Sequence, residues 1–305
     1  MRSKPNMSFS LQFSTDERWY PRGGVIQRLR VPGLVVLIVA SLAPLAAHAE
    51  QAFALSWTNN LLTVSDPRLP GGKLEIWYLE AFCRSGAWGR DWRQTTLRHQ
   101  TKLLRADPAG HRLEFETFVE PGIEVRHDIE SRKDELEMSF KLKNTGTAPV
   151  DLQWFEPACI RVATFTGCDQ SNYTARSFIF TANGLTSLDH LRRTTNALYL
   201  GGQAYLPGFV SPADSNPRPI CLDHPVNGLI GCFSADGRWL LATASDHTHE
   251  LFEGVYVCLH SDPRVSGLAP GETKLVRSKI YLLPNDPKAL LKRYRRDFAV
   301  TKSAF

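Results

Sequence analysis

The stretch Gly254-Val255-Tyr256-Val257-Cys258-Leu259-His260-Ser261-Asp262-Pro263, followed by Gly267-Leu268-Ala269-Pro270-Gly271-Glu272-Thr273, decides the fold. Alternation through residues 255–260 sets Val255, Val257 and Leu259 on one face and Tyr256, Cys258 and His260 on the other, the two-residue period of an extended strand. Pro270-Gly271 then turns the chain into a second long alternating run, residues 274–283. A strand that brings a polar side chain to its end, then a loop, a tight turn and a returning strand, describes antiparallel β-structure with one apolar face.

The same period runs outward from there. Residues 73–79, 112–119, 123–129 and 136–142 alternate apolar and polar, with Glu120-Pro121-Gly122 and Asn144-Thr145-Gly146 as turns. The one convincing helix is at residues 287–298. Asn285 or Asp286 can cap it, Pro287 suits its first turn, and Leu291, Tyr294 and Phe298 form its apolar stripe. Its basic residues Lys288, Lys292, Arg293, Arg295 and Arg296 read as a solvated face. The expected fold class is therefore all-β, a large antiparallel β-sandwich with one docked C-terminal helix. Residues 207–219, rich in proline, form the one extended loop and are expected to rim a site.

Residues 1–49 read as a leader. Arg28 and Arg30 precede an apolar run at residues 33–46, and Ala47-His48-Ala49 offers a small-x-small cleavage signal. The run is short for a membrane span and contains Pro44, so export with cleavage is expected, giving a periplasmic or secreted protein with no stable membrane span. No twin-arginine pair precedes the run, which points to the Sec route. The remaining 256 residues, 50–305, hold 30 basic and 29 acidic side chains, a net charge of +1. They fit one β-sandwich domain. That balance lacks the footprint of a nucleic-acid binder.

All six cysteines lie in this part. Two readings stay open: oxidised pairs, with Cys221 and Cys232 flanking a hairpin at His224-Pro225-Val226-Asn227, or buried thiols acting as small hydrophobes. No CxxC pair occurs, so neither a thioredoxin-like site nor a cysteine-rich zinc site is expected, and no cofactor motif is evident.

The C-terminal stretch quoted first, together with Leu142-Lys143-Asn144-Thr145-Gly146-Thr147-Ala148-Pro149, resembles the aldose 1-epimerase (galactose mutarotase-like) family. The resemblance implies a mutarotase-like super-sandwich and a carbohydrate ligand, mono- or oligosaccharide. In that family a glutamate on the late strand is the catalytic base, and a histidine after the Asn-Thr-Gly turn protonates the ring oxygen. Here the late-strand position holds His260. About a dozen residues after Asn144 the chain reads Trp154-Phe155-Glu156-Pro157, with Glu156 as its ionisable group. The two residue types thus stand in exchanged places. Acid–base chemistry remains open to them, because histidine titrates near neutral pH and a buried carboxyl can stay protonated.

Glu156 and His260 are accordingly the candidate catalytic pair for an epimerase- or lyase-like reaction. Arg84, His99, Trp154, Arg161, Arg218 and Asp262 are candidate substrate contacts, the two later arginines suiting an acidic sugar through bidentate pairing. A non-catalytic carbohydrate-binding or envelope structural protein is the contrasting expectation. A weaker alternative is a cupin-like metal site at His247, His249 and Glu253. Its two histidines share a strand face, but Glu253 would lie about 13 Å from His249 along an unbroken strand.

Overall fold

The computed structural model describes residues 52–298, and the expected leader at residues 1–49 lies outside them. The first part of the chain gives β1 (Ala54–Thr58), β2 (Leu61–Ser65), β3 (Lys73–Cys83), the single-turn helix α1 (Trp92–Thr95), and β4 (His99–Ala106). The alternating runs read from the sequence become β5 (Arg112–Val119), β6 (Ile123–Ser131) and β7 (Glu135–Asn144). Next come β8 (Trp154–Arg161), a second single-turn helix α2 (Ala163–Thr166), β9 (Ser177–Thr181), β10 (Gly184–Ser187) and β11 (Gln203–Tyr205). The chain ends with β12 (Ile230–Phe233), β13 (Trp239–Ser245), β14 (Thr248–Gly254), β15 (Cys258–Pro263), β16 (Thr273–Pro284) and α3 (Pro287–Asp297).

These strands form two antiparallel sheets. One has seven strands in the order β1-β2-β3-β8-β15-β14-β11; the other has nine, in the order β10-β9-β12-β13-β16-β7-β6-β5-β4. The all-β sandwich with a C-terminal helix is thus the observed architecture. Between the sheets, Tyr78, Phe82 and Phe155 meet Phe115 and Phe140, all fully buried. Each such side chain contributes about 1.5–3 kcal/mol of burial. His127 lies in this core, stacked on Phe115, with Nδ1 2.6 Å from the Tyr78 hydroxyl and Nε2 2.9 Å from Thr117 Oγ1.

The two sequence stretches behind the family resemblance are neighbours. Asn144 Nδ2 donates to Ala148 O and Leu268 O, Asn144 Oδ1 accepts from Gly146 N, and Gly271 N donates to Asn144 O. Asp286 caps α3, its carboxylate accepting from Lys288 N and Ala289 N at 3.0 Å. Leu290 and Phe298 of the helix region pack with Phe178, Phe180 and Tyr281 of the nine-stranded sheet.

Several local expectations are corrected. The strand read as residues 255–260 begins at Cys258, because Gly254 and Val257 close a hairpin turn with Val257 at φ 55°. It also continues through Ser261 and Asp262 rather than ending at His260. Cys221 and Cys232 do not face each other: Cys221 bridges to Arg193, while Cys232 pairs with Leu241 and Ser177. All six cysteines are buried thiols. Arg293 of α3 is not merely solvated, since it donates to Asp134 and Glu135 at 2.7 Å.

Candidate active site

The cleft of interest lies on the face of the seven-stranded sheet turned away from the core. In β15, Leu259 points into the sandwich while Cys258, His260 and Asp262 form a row on the other face. Opposite them in β14 stand Gly254, Phe252 and Glu250, paired in register with Cys258, His260 and Asp262 respectively. On the other side, β8 contributes Glu156, Cys159 and Arg161, with Arg161 paired to Cys258. β3 adds Glu80. A register shift between Tyr78 and Ala81, with Leu79 at φ 52°, turns Leu79 into the core and sends Glu80 to the cleft. Bulges of this kind re-aim side chains beside sites.

The cleft has a volume of about 270 Å³, at the small end of the ~300–1,000 Å³ of typical ligand sites. The loop expected to rim a site does so, through Asn216, Pro217 and Arg218. Aromatic side chains wall it. Trp92 and Tyr199 line it, and Tyr256, 64% exposed at the β14–β15 turn, stands at its mouth. Arg161 lies over the rings of Trp77 and Tyr256 at 5.9 and 5.5 Å, and Arg218 over Tyr199 at 4.7 Å. Among the described residues, neither guanidinium has a carboxylate within salt-bridge distance, and the Arg161 Nε is buried without a hydrogen-bond partner.

Glu156 and His260, both 2% exposed, meet at the floor. One ligand atom from each of Glu80, Glu156 and His260 lies within 4.8 Å of the other two. His260 Nε2 is 3.6 Å from Cys258 Sγ and 4.0 Å from Glu80 Oε2, and Nδ1 is 3.8 Å from Asp262 Oδ1. Asn216 spans two of the acids, Nδ2 reaching Glu156 Oε1 at 3.5 Å and its backbone N donating to Glu250 Oε2 at 2.9 Å.

Burial, reinforced by the Glu80 charge, pushes the Glu156 carboxyl well above the usual carboxylate range. Burial raises Glu250 as well, with Asp262 adding to it, and lifts Asp262 to about 8. His260 is the counterweight. Burial alone would lower it, but the Cys258 thiol and the Asp262 carboxylate outweigh burial and hold it well above an ordinary histidine. Protons are therefore shared among carboxyls that cannot all ionise in so small a space.

The remaining sequence candidates separate. Asp262 flanks His260 as described. Trp154 is fully buried; its face is covered by His249 at 5.2 Å and 8°, and its Nε1 donates to Asp214 O, so it offers a ligand no surface. Arg84 is exposed, and neither it nor His99 lines the cleft; the ring of His99 packs on Phe82 and contacts Leu79 O at 3.0 Å. The cupin-like trio does not assemble. His249 stacks on Trp154, while Glu253 points between the sheets and accepts from Ser177 Oγ at 2.6 Å. Among the described residues, His247, His249 and Glu253 form no converging group of ligand atoms.

Sequence reasoning missed Glu80, Cys159 and Trp92 as cleft residues. Cys258 was legible, because it shares a strand face with His260. A second, wider hollow of about 620 Å³ lies over β5, β6, β7 and β16. Most charges around it are paired, as in Arg112–Asp128, Arg126–Glu116 and Arg277–Asp246, so the cleft with unpaired arginines is the stronger candidate.

No family model and no curated protein matches this chain. Solved structures similar to it are mostly galactose mutarotase-like proteins. The Slr1438 protein of Synechocystis sp. PCC 6803 shares 10% identity at a TM-score of 0.42, over 76% of this chain and 95% of that one. A galactose mutarotase-like protein of Lactobacillus casei ATCC 334 shares 8% at 0.38, over 76% and 100%. A galactose mutarotase related enzyme of Lactobacillus acidophilus shares 9% at 0.38, over 76% and 97%. No helix among the described residues is long and apolar enough to cross a membrane.

Proposed function

We propose that this is an exported, periplasmic or secreted protein that binds a carbohydrate in the cleft of the seven-stranded sheet and performs acid–base chemistry on it. The observation that carries this reading is the convergence of Glu156 and His260, with Glu80, at the floor of one cleft. Two polar groups of different basicity facing one small ligand satisfy the first requirement of general acid–base catalysis, which is reach. Glu156 and His260 serve as the proton-transfer pair. Aromatic faces at the rim suit the apolar faces of a sugar ring, and Arg161 and Arg218 suit a carboxylate on it.

The test is binding and turnover with a panel of neutral and acidic mono- and oligosaccharides, using the wild-type protein and Glu156→Gln. Binding with turnover that the substitution abolishes supports the reading. Binding without turnover makes the protein a carbohydrate binder, and no binding to any sugar overturns the reading. Export is tested by the mass of the protein recovered from the cell envelope or medium. Retention of residues 1–49 in the mature protein would sink that part.

A further inference from the structure

We infer that Cys159, Cys258 and His260 form a zinc site at the floor of the cleft, with one coordination position turned toward the bound sugar. It revises the function proposed above at one point, since His260 is then a metal ligand rather than a proton carrier and the ion takes its place beside Glu156, and it rests on that function for the identity of the ligand in the cleft. The three donors come from neighbouring strands β8 and β15, all are buried, and all line the cleft. One ligand atom from each lies within 4.8 Å of the other two. Two thiolates and one imidazole are a known donor set for catalytic Zn²⁺, which keeps its fourth position open.

The spacing between Cys258 Sγ and His260 Nε2, which a thiol–imidazole hydrogen bond also satisfies, is compatible with ligands of one ion. With Zn–S of about 2.3 Å and Zn–N of about 2.0–2.1 Å at a tetrahedral angle, sulphur and nitrogen stand about 3.5–3.6 Å apart. Cys258 Sγ and His260 Nε2 are 3.6 Å apart. The other ring nitrogen, Nδ1, faces Asp262 Oδ1 at 3.8 Å, and neither Asp262 oxygen has a hydrogen-bond partner. A carboxylate behind the imidazole is the usual outer partner that orients a zinc-bound histidine.

Space agrees with this. A Cβ placed on Gly254 would come within 2.6 Å of Cys258 Sγ, so glycine there leaves the sulphur its room.

A disulfide between the same sulphurs fits less well. Cys258 pairs with Arg161, so Cys159 is its diagonal neighbour. Diagonal residues on adjacent antiparallel strands stand about 7–8 Å apart at Cα, beyond the roughly 4.4–6.8 Å that disulfides span. With the ion bound, its positive charge stands where a proton on His260 Nε2 would, and Glu156 keeps its role in proton transfer.

The experiment loads the full chain with Zn²⁺, removes excess ion, and counts metal by elemental analysis. Co²⁺ then replaces Zn²⁺ as a spectroscopic reporter, and sugar binding is measured before and after chelation. The expected result is one zinc per chain and a thiolate-to-cobalt charge-transfer band, which needs no variant. Cys258→Ser should remove the band, and Asp262→Asn should weaken zinc affinity by about 10–100-fold while leaving stoichiometry intact at saturation.

Substoichiometric metal, a Cys159–Cys258 disulfide in the unreduced protein, or a band that survives Cys258→Ser would overturn the site. Sugar binding without stoichiometric zinc would sink only the metal inference. Stoichiometric zinc with no sugar bound would sink only the carbohydrate reading.

Discussion

Glu156 on β8 and His260 on β15 point into the same cleft, with a carboxylate oxygen of one within 4.8 Å of a ring nitrogen of the other. Strand pairing brings them there. Cys258 opposes Arg161 and Leu259 opposes Ile160, so the outward rows of the two strands run side by side. A pair more than a hundred residues apart in the chain thus becomes one chemical unit.

From that pairing, Glu156→Gln and His260→Asn should each lower turnover of the true sugar substrate by about 10²–10⁴-fold. Substrate affinity should change far less, because neither group sits at the rim. Steady-state kinetics on both variants checks this. A variant that loses binding while keeping its turnover number would assign that residue to recognition.

Arg161 and Arg218 are half-buried, held over aromatic rings and, among the described residues, free of carboxylate partners. Replacing either with methionine should weaken binding of an acidic sugar by about 10–100-fold, the worth of a charge-assisted hydrogen bond. Binding of the matching neutral sugar should hardly move. Calorimetric titration of the two sugars against each variant makes the comparison; equal losses for both sugars would argue against carboxylate recognition.

His127 gives a pH dependence remote from the cleft. Burial pushes its pKa down to about 3, against about 6.5 when unfolded. The unfolded chain binds the extra proton between those values, so stability is full above pH ~6.5 and falls as pH drops toward 3. At pH 5 the loss from this residue is about 2 kcal/mol. Urea unfolding at pH 7 and pH 5 should show it in the wild type and much less in His127→Phe. An unchanged pH slope in that variant would assign acid sensitivity elsewhere.

Asn144 is fully buried; two of its side-chain hydrogen bonds close the Asn-Thr-Gly turn, and a third, to Leu268 O, joins that turn to the loop before β16. Asn144→Ala should destabilise the fold by about 1–3 kcal/mol, chiefly because the buried Leu268 carbonyl loses this donor. The midpoint of urea unfolding measures it. A shift worth less than about 0.5 kcal/mol would mean that this carbonyl finds another donor.

Much of the scaffold was legible. The alternation that predicted residues 112–119 as a strand matches β5 (Arg112–Val119), and the cap and proline at 286–287 mark the start of α3. The shared face of Cys258 and His260 also followed from period-two spacing. Errors arose where backbone geometry broke the period. Val257 adopts a left-handed turn conformation that moved the start of β15, and the bulge at Leu79 turned Glu80 outward from a run that reads as continuous strand. For Trp154 the sequence leaves a core role and a sugar-stacking role open, since whether an aromatic face is free depends on what another segment, here His249, lays over it.

By itself the sequence determined the fold class, the strand and helix segments, and which residue types were available for chemistry. These follow from local rules of hydrophobic period, turn propensity and capping, which act over a few residues. Tertiary structure alone decided that Glu80, Glu156, Cys159, Cys258 and His260 share one cleft while His249 and Glu253 do not. It also decided which of these groups lost their water. Strand order, register and bulges set those distances, and they are fixed by packing between segments far apart in the chain, which no local pattern encodes.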